Sequence, residues 1–225
     1  MYVPAHYKGS SAAAVATVRA SPLATLVTGA EPVPFATHLP VVLPEDVADA
    51  VDNGPADLRG HRVIGHLNRA NPHWRHLSAG QSALLIFRGP GGYVSPEVYG
   101  YTPAAPTWNF TAVHLRGTIQ PLPAGEETRR VIHRTVRELE GRFGRQWDMA
   151  GSLDYFDKIL PAVGAFELHV EDVDGMFKLS QELDPETKDK TTEHFAASPE
   201  GTHRELACAM ERWTGAKGRP SEGSL

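Results

Sequence analysis

The stretch His61–Val94 reads HRVIGHLNRANPHWRHLSAGQSALLIFRGPGGYV. HRVIGHL (His61–Leu67) and the more apolar ALLIFRG (Ala83–Gly89) have strand length and strand composition. The polar segment GHLNRANPHW (Gly65–Trp74) lies where the first run enters a turn. Two strands joined through turns, with no crossover helix between them, argue against a doubly wound parallel fold.

The same grammar extends in both directions. Ser10 or Ser11 is placed to cap a short helix over AAAVATVRA, which ends before Pro22. LATLVT (Leu23–Thr28) and PFATHLPVV (Pro34–Val42) read as strands around Gly29, and Pro44–Gly60 as a loop with a helical turn at EDVADAV. Tyr93–Val98 and Phe110–Ile119 add two strands; in the second, Val113, Leu115 and Ile119 share one face. Glu126–Gly144 places Val131, Ile132, Val136 and Leu139 at helical spacing. A second helix is expected over Ser152–Leu160, then a strand over Gly164–Val170, then tail helices over Pro185–Ala197 and Thr202–Thr214. Leu206, Met210 and Trp213 form an apolar stripe on the last helix, free either to meet a second copy or to pack on the chain's own barrel. The closing RPSEGSL is expected to fray.

Six or seven short strands with late helices predict a mainly β chain with flanking helices (α+β), in the form of a small antiparallel barrel. Residues 1–183 form the barrel domain with inserted helices, and 184–225 a C-terminal helical extension.

Composition narrows the function. The chain has 225 residues, 41% hydrophobic and 22% charged, with 21 Gly and 18 Pro, as expected for many turns. Its net charge is -5, and Arg129, Arg130, Arg134 and Arg137 share a segment with Glu126, Glu127, Glu138 and Glu140. That pattern is a solvated helix face and argues against a nucleic-acid partner. The single cysteine, Cys208, rules out an internal disulfide, a CxxC metal pair and covalent c-type haem attachment. No run approaches the ~18 continuous apolar residues of a membrane span, and no basic-then-apolar leader opens the chain. The expectation is a cytoplasmic protein without a membrane partner.

No nucleotide-binding glycine motif, HExxH or GxSxG is present. RGPGG (Arg88–Gly92) reads as a tight turn between strands, or as a cradle of backbone amides for an anion. Among the eleven histidines, His66 ends a strand with Ile64 as its same-face neighbour. Locally it reads as a structural histidine or, if a metal binds, as a lone imidazole ligand. His73 and His76 read as surface or capping groups. No spacing supplies a second and third ligand for bare zinc, so one histidine plus haem is the simplest metal arrangement. Pro103 and Pro106 stiffen the loop before Trp108 and Asn109 and would present both in fixed geometry, or simply plug that loop with the indole. FKLSQE (Phe177–Glu182) places Lys178, Ser180 and Gln181 between a strand and a capped helix, as helix caps or as a grip on phosphate or carboxylate.

YVP at the start, ATHLP (Ala36–Pro40), GHLNRANPHW, IFRGPGGYVSP (Ile86–Pro96), PTWNFTAVH (Pro106–His114) and FKLSQ occur in the order seen in the PaiB family. The chain resembles that family, whose members are labelled FMN-binding negative transcriptional regulators, over about residues 1 to 183. The resemblance implies a split β-barrel of the FMN-binding type. KLSQEL, where regulator members tend to read KLSQNR, and Asp154–Glu182 are more similar to a branch of haem-dependent piperazate synthases.

That branch converts N5-hydroxy-L-ornithine to L-piperazic acid, and its axial haem ligand falls on His66. The resemblance further implies haem b as cofactor, with Arg69, Asn71, Lys178 and Gln181 near cofactor or carboxylate groups. Tyr93, Ser95, Thr107 and Asn109 would line the substrate side, with Lys178 and Glu182 as the catalytic candidates and a haem propionate or a bound water as alternative proton acceptors to Glu182. Split barrels of this kind pair across a two-fold axis, so a homodimer is expected. Two alternatives stay open: an FMN-binding regulator, and a split barrel that stores or degrades haem.

Overall fold

The computed structural model describes residues 1–145 and 147–213. Six antiparallel strands close a barrel in the order β1 (Leu23–Thr28), β2 (Phe35–Val42), β3 (Arg62–Asn68), β6 (Val163–Lys178), β5 (Thr107–Pro121) and β4 (Gln81–Val94). Closure comes from β1 pairing with both β2 and β4, with Thr25 opposite His38 on one side and Ile86 on the other. Alternation points Leu26, Val63, Leu85, Phe87, Val113, Leu115, Phe166 and Leu168 inward, where each is fully buried. At ~1.5–3 kcal/mol for each buried large apolar side chain, this interior dominates the stability of the barrel.

Among the described residues eight α-helices surround the barrel: α1 (Ser11–Ala20), α2 (Glu45–Asn53), α3 (Pro72–His76), α4 (Pro96–Tyr99), α5 (Glu126–Phe143), α6 (Leu153–Ile159), α7 (Pro185–Ala196) and α8 (Gly201–Arg212). Ser10 caps α1 by accepting from the Ala13 amide. α5 lies across β2, β3 and β6, and its Val131 and Leu139 cover Val42, Ile64 and Ala165 on the barrel exterior. No helix among the described residues is long and apolar enough to cross a membrane.

Several expectations change. EDVADAV is not one helical turn but the core of α2, anchored by buried Val47 and Val51. RGPGG is not a turn between strands. β4 runs through it, with a register shift between Arg88 and Gly91. Its glycines are needed for close approach, since a Cβ at Gly89 would lie 2.1 Å from the Thr111 hydroxyl, and one at Gly92 2.4 Å from Phe195. The strand expected over Tyr93–Val98 stops at Val94, because Ser95 accepts from the Glu97 amide and starts α4. β6 does not end at Val170 but continues to Lys178, pairing with β5 as far as Phe110.

The described part of the C-terminal extension belongs to the main core. Phe195, Leu206 and Met210 are fully buried with the barrel interior, and Trp213 stacks on Phe177 at 5.3 Å. The apolar stripe of α8 is thereby used within the chain and offers no face to a second copy. Thr214 and the closing RPSEGSL lie outside the described residues.

Candidate functional site

His66 sits near the end of β3, paired with Ala165 of β6. Val63 and Leu67 enter the core, so alternation sends Ile64 and His66 to the exterior of the barrel. The His66 ring is half-buried, and its Nδ1 is sealed from water with no hydrogen-bond partner among the described residues. Burial lowers its pKa, so the imidazole is held neutral. A buried ring nitrogen with no partner costs ~1–3 kcal/mol, an expense a merely structural histidine avoids.

His73 is that structural histidine. It is fully buried, not a surface or capping group, with its ring nitrogens 2.9 and 2.8 Å from the Thr28 and Thr37 hydroxyls. Asn71, expected to touch cofactor, instead caps α3: its Oδ1 accepts from the His73 amide at 2.9 Å, and its Nδ2 donates to Thr37 at 3.4 Å. Arg69 donates from Nε to the Val163 carbonyl at 2.8 Å, and its guanidinium lies 5.0 Å from the Trp74 ring centre. The two terminal nitrogens of Arg69 have no partner among the described residues, so its charge remains available beside the first residues of β6.

The other predicted residues collect at the far end of β6. Lys178 donates to the Thr107 hydroxyl, and its Nζ lies 5.8 Å from the centre of the Tyr7 ring. Burial, and then the Glu182 carboxylate facing its hydroxyl, push the Tyr7 pKa far above the ordinary phenol value. Tyr99 is shifted upward by burial and by the same carboxylate. Tyr93 and Trp108 stand side by side on the exterior, 51% and 48% exposed, with ring centres 6.2 Å apart. Tyr7 was not singled out from the sequence, because nothing local distinguishes it. Only the fold brings the N-terminal segment against β6, where Lys8 bridges to Met176.

Three predicted residues at this end are committed elsewhere. Asn109, expected in a stiffened loop facing substrate, lies on β5 and is 0% exposed beneath α8. Its Nδ2 donates to Ser180 at 2.7 Å and contacts the Met210 sulfur at 3.8 Å, while its Oδ1 is buried without a partner. Gln181 turns back on the backbone, accepting from the Leu179 amide at 2.6 Å and donating to the Phe177 and His6 carbonyls. Ser95 is spent as the α4 cap.

The two groups do not meet within one chain. His66 pairs with Ala165 and Lys178 pairs with Phe110, so 13 residues of β6 separate them. At ~3.3 Å per residue this is roughly 40 Å of strand. Among the described residues no cluster of three or more His, Cys, Asp or Glu side chains could hold a metal ion. The donor set at β3 is one neutral imidazole with a free arginine nearby. It suits a metal carried by a prosthetic group with anionic substituents, and it does not suit a bare ion.

Residues 1–172 match the family described as "Putative FMN-binding domain". The chain is 30% identical over 183 residues to the protease synthase and sporulation protein PAI 2 of Bacillus subtilis, covering 80% of this chain and 82% of that protein. The chain belongs to this PaiB-like family. Among solved structures, the PaiB-like barrel superposes on the FAD and heme binding protein from Mycobacterium smegmatis with a TM-score of 0.54, at 14% identity over 80% of this chain and 77% of that one. The flavocytochrome Anf3 from Azotobacter vinelandii gives 0.52, at 18% identity over 81% and 73% of the two chains. At these identities the likeness establishes the split-barrel fold, in agreement with the closed six-stranded topology of the PaiB-like chain.

Proposed function

We propose that this PaiB-like protein is a haem b-dependent piperazate synthase in which His66 would hold the iron. The observation that carries the reading is the neutral, partnerless imidazole on the barrel exterior. That a FAD and heme binding protein and a flavocytochrome share the fold supports a cofactor-binding role for such a barrel.

In the reaction the N2–N5 bond forms, the N5–O bond breaks and water leaves, with no net change of oxidation state. Bound haem iron would supply Lewis acidity toward the departing oxygen. The chain's own residues have separate duties. Arg69 offers its free guanidinium to a carboxylate near His66. Lys178, held by Thr107, offers a fixed positive charge at the opposite end of β6. Glu182 is the candidate acceptor for the proton that the α-ammonium must lose before it can attack. Tyr7, kept protonated beside it, can donate its phenol O–H to the carboxylate and does not act as a base near neutral pH.

The roughly 40 Å of β6 between His66 and Lys178 bears on assembly. Both groups can address one ligand only when a second copy brings its Lys178 end to the first copy's His66. The reading therefore includes a homodimer, with the exposed Tyr93–Trp108 pair as the surface available to line a shared site.

The test is to purify the protein with haemin and record its spectrum, then supply N5-hydroxy-L-ornithine without reductant. A Soret band that is absent from His66→Ala, with piperazic acid formed only by the wild type, is the expected result. A flavin spectrum would sink the proposal in favour of an FMN-binding protein, the reading favoured by the description of the family.

A further inference from the structure

A second feature of the barrel exterior is independent of the His66 reading. Between α2, α5 and the outer faces of β3 and β6 lies a cavity of about 310 Å³. Ile64 and Val131 supply apolar walls, and four arginines reach it: Arg62, Arg130, Arg134 and Arg137. His66 does not line it. On α5 the lining residues follow one stripe, whereas Arg129 and His133 face α6 through Asp157 and Phe156.

The four arginines are not equivalent. Arg62 is neutralised, with Asp46 at 3.0 and 3.1 Å and Glu167 at 3.1 Å. Arg134 is fixed by the Leu43 carbonyl at 2.9 Å and by Glu138 at 2.8 Å, which leaves its Nη1 without a partner among the described residues. Among the described residues Arg130 has no carboxylate within ion-pair distance, and Arg137 reaches only the His133 carbonyl, at 3.4 Å. The remaining acids of the lining, Glu45 and Glu127, stand in the first turns of α2 and α5, where the helix termini offset their charge. The lining balances Glu45, Asp46, Glu127 and Glu167 against Arg62, Arg130, Arg134 and Arg137, and the donors without a carboxylate partner among the described residues are those of Arg130 and Arg137 and the Nη1 of Arg134. Arg130 and Arg137 are seven residues apart, about 10.5 Å along the helix, with Arg134 between them.

We propose that this cavity binds a small multivalent oxyanion, of phosphate or polycarboxylate type. Two unpaired guanidiniums a helix length of two turns apart match an anion with charge at both ends better than a monovalent one. The pinned Arg134 and the apolar wall at Ile64 and Val131 provide a prearranged seat between them.

The test uses the full chain with inorganic pyrophosphate and with citrate in thermal unfolding, against sodium chloride of matched ionic strength. A ligand at about 100 times its Kd should raise Tm by ~5 °C, saturably. The double variant Arg130→Gln/Arg137→Gln, altered only at exposed positions, should keep the unliganded Tm and lose the shift. A response to pyrophosphate alone identifies a phosphate site, and one to citrate alone a carboxylate site. A shift reproduced by sodium chloride, a shift that survives in the variant, or no shift with either anion overturns the proposal.

Discussion

The two ends of β6 solve the problem of burying polar groups in opposite ways. At the Lys178 end nearly every polar side chain has an internal partner: Lys178 has Thr107, Gln181 has three backbone groups and Ser180 has Asn109. At the Ala165 end His66 has none, although its Nδ1 is sealed from water. Each end leaves one buried atom without a partner, Oδ1 of Asn109 and Nδ1 of His66, but Asn109 is still tied to Ser180 through its Nδ2 whereas the His66 ring makes no hydrogen bond among the described residues. A half-buried ring with no hydrogen bond of its own is left free to take a ligand, which a side chain already tied into a network is not.

The largest expected effect separates the two ends outright. His66→Leu should abolish the Soret band of haemin-treated protein, whereas Gln181→Ala should retain it; equal loss in both would erase the distinction. Next comes Asn109→Ala. Ser180 is buried and holds a left-handed backbone (φ 59°), and it loses its hydrogen bond in this variant. Chemical denaturation should report ~2 kcal/mol of destabilisation, from the lost bond and the space left under Met210. A neutral result would mean that the packing of α8 does not depend on this pair.

A smaller effect of opposite sign is expected in the protein without cofactor. His66→Leu removes the partnerless nitrogen and should raise stability by about 1 kcal/mol, or ~2–4 °C in Tm. A lower Tm would show that the ring has a structural partner and would weaken the comparison. Gln181→Ala should move the other way, by about 1 kcal/mol.

The pH dependence has a definite sign. Burial lowers the pKa of His66; burial, with His76 nearby, lowers that of His73; and burial, with neighbouring positive charge, lowers that of His114. The unfolded chain takes up these protons as pH falls through about 6.5, before the folded chain does. Stability is therefore highest above that value, declines as the pH drops below it, and levels off once the folded groups also protonate. Urea midpoints at pH 7.5 and 5.5 check this. His66→Leu should flatten part of the slope, and an unchanged slope would show that His66 titrates normally.

β1, β3 and α5 could be read with little error because each carries its period in consecutive residues, as in LATLVT and the Val131–Leu139 stripe. The misreadings share one cause. RGPGG has the composition of a turn, yet it stays in β4 because Thr111 and Phe195 press against positions where only hydrogen fits. The acidic run after Val170 lacks apolar alternation, yet it stays in β6 because Asp172 and Asp174 meet Arg116 across the strand pair. In both cases the partner that decides the conformation lies far away in the chain.

Sequence by itself determined the barrel, its family and the candidacy of His66, because strand alternation and motif order are local and sequential properties. Tertiary structure alone decided that the Nδ1 of His66 is sealed without a partner, that Asn71 caps α3 and Asn109 holds Ser180, and that Tyr7 joins Lys178 and Glu182. It also decided that these groups lie at opposite ends of one long strand. The physical reason is that desolvation and hydrogen-bond satisfaction depend on which groups surround an atom in space, and strand pairing across a closed barrel sets that independently of the order of residues.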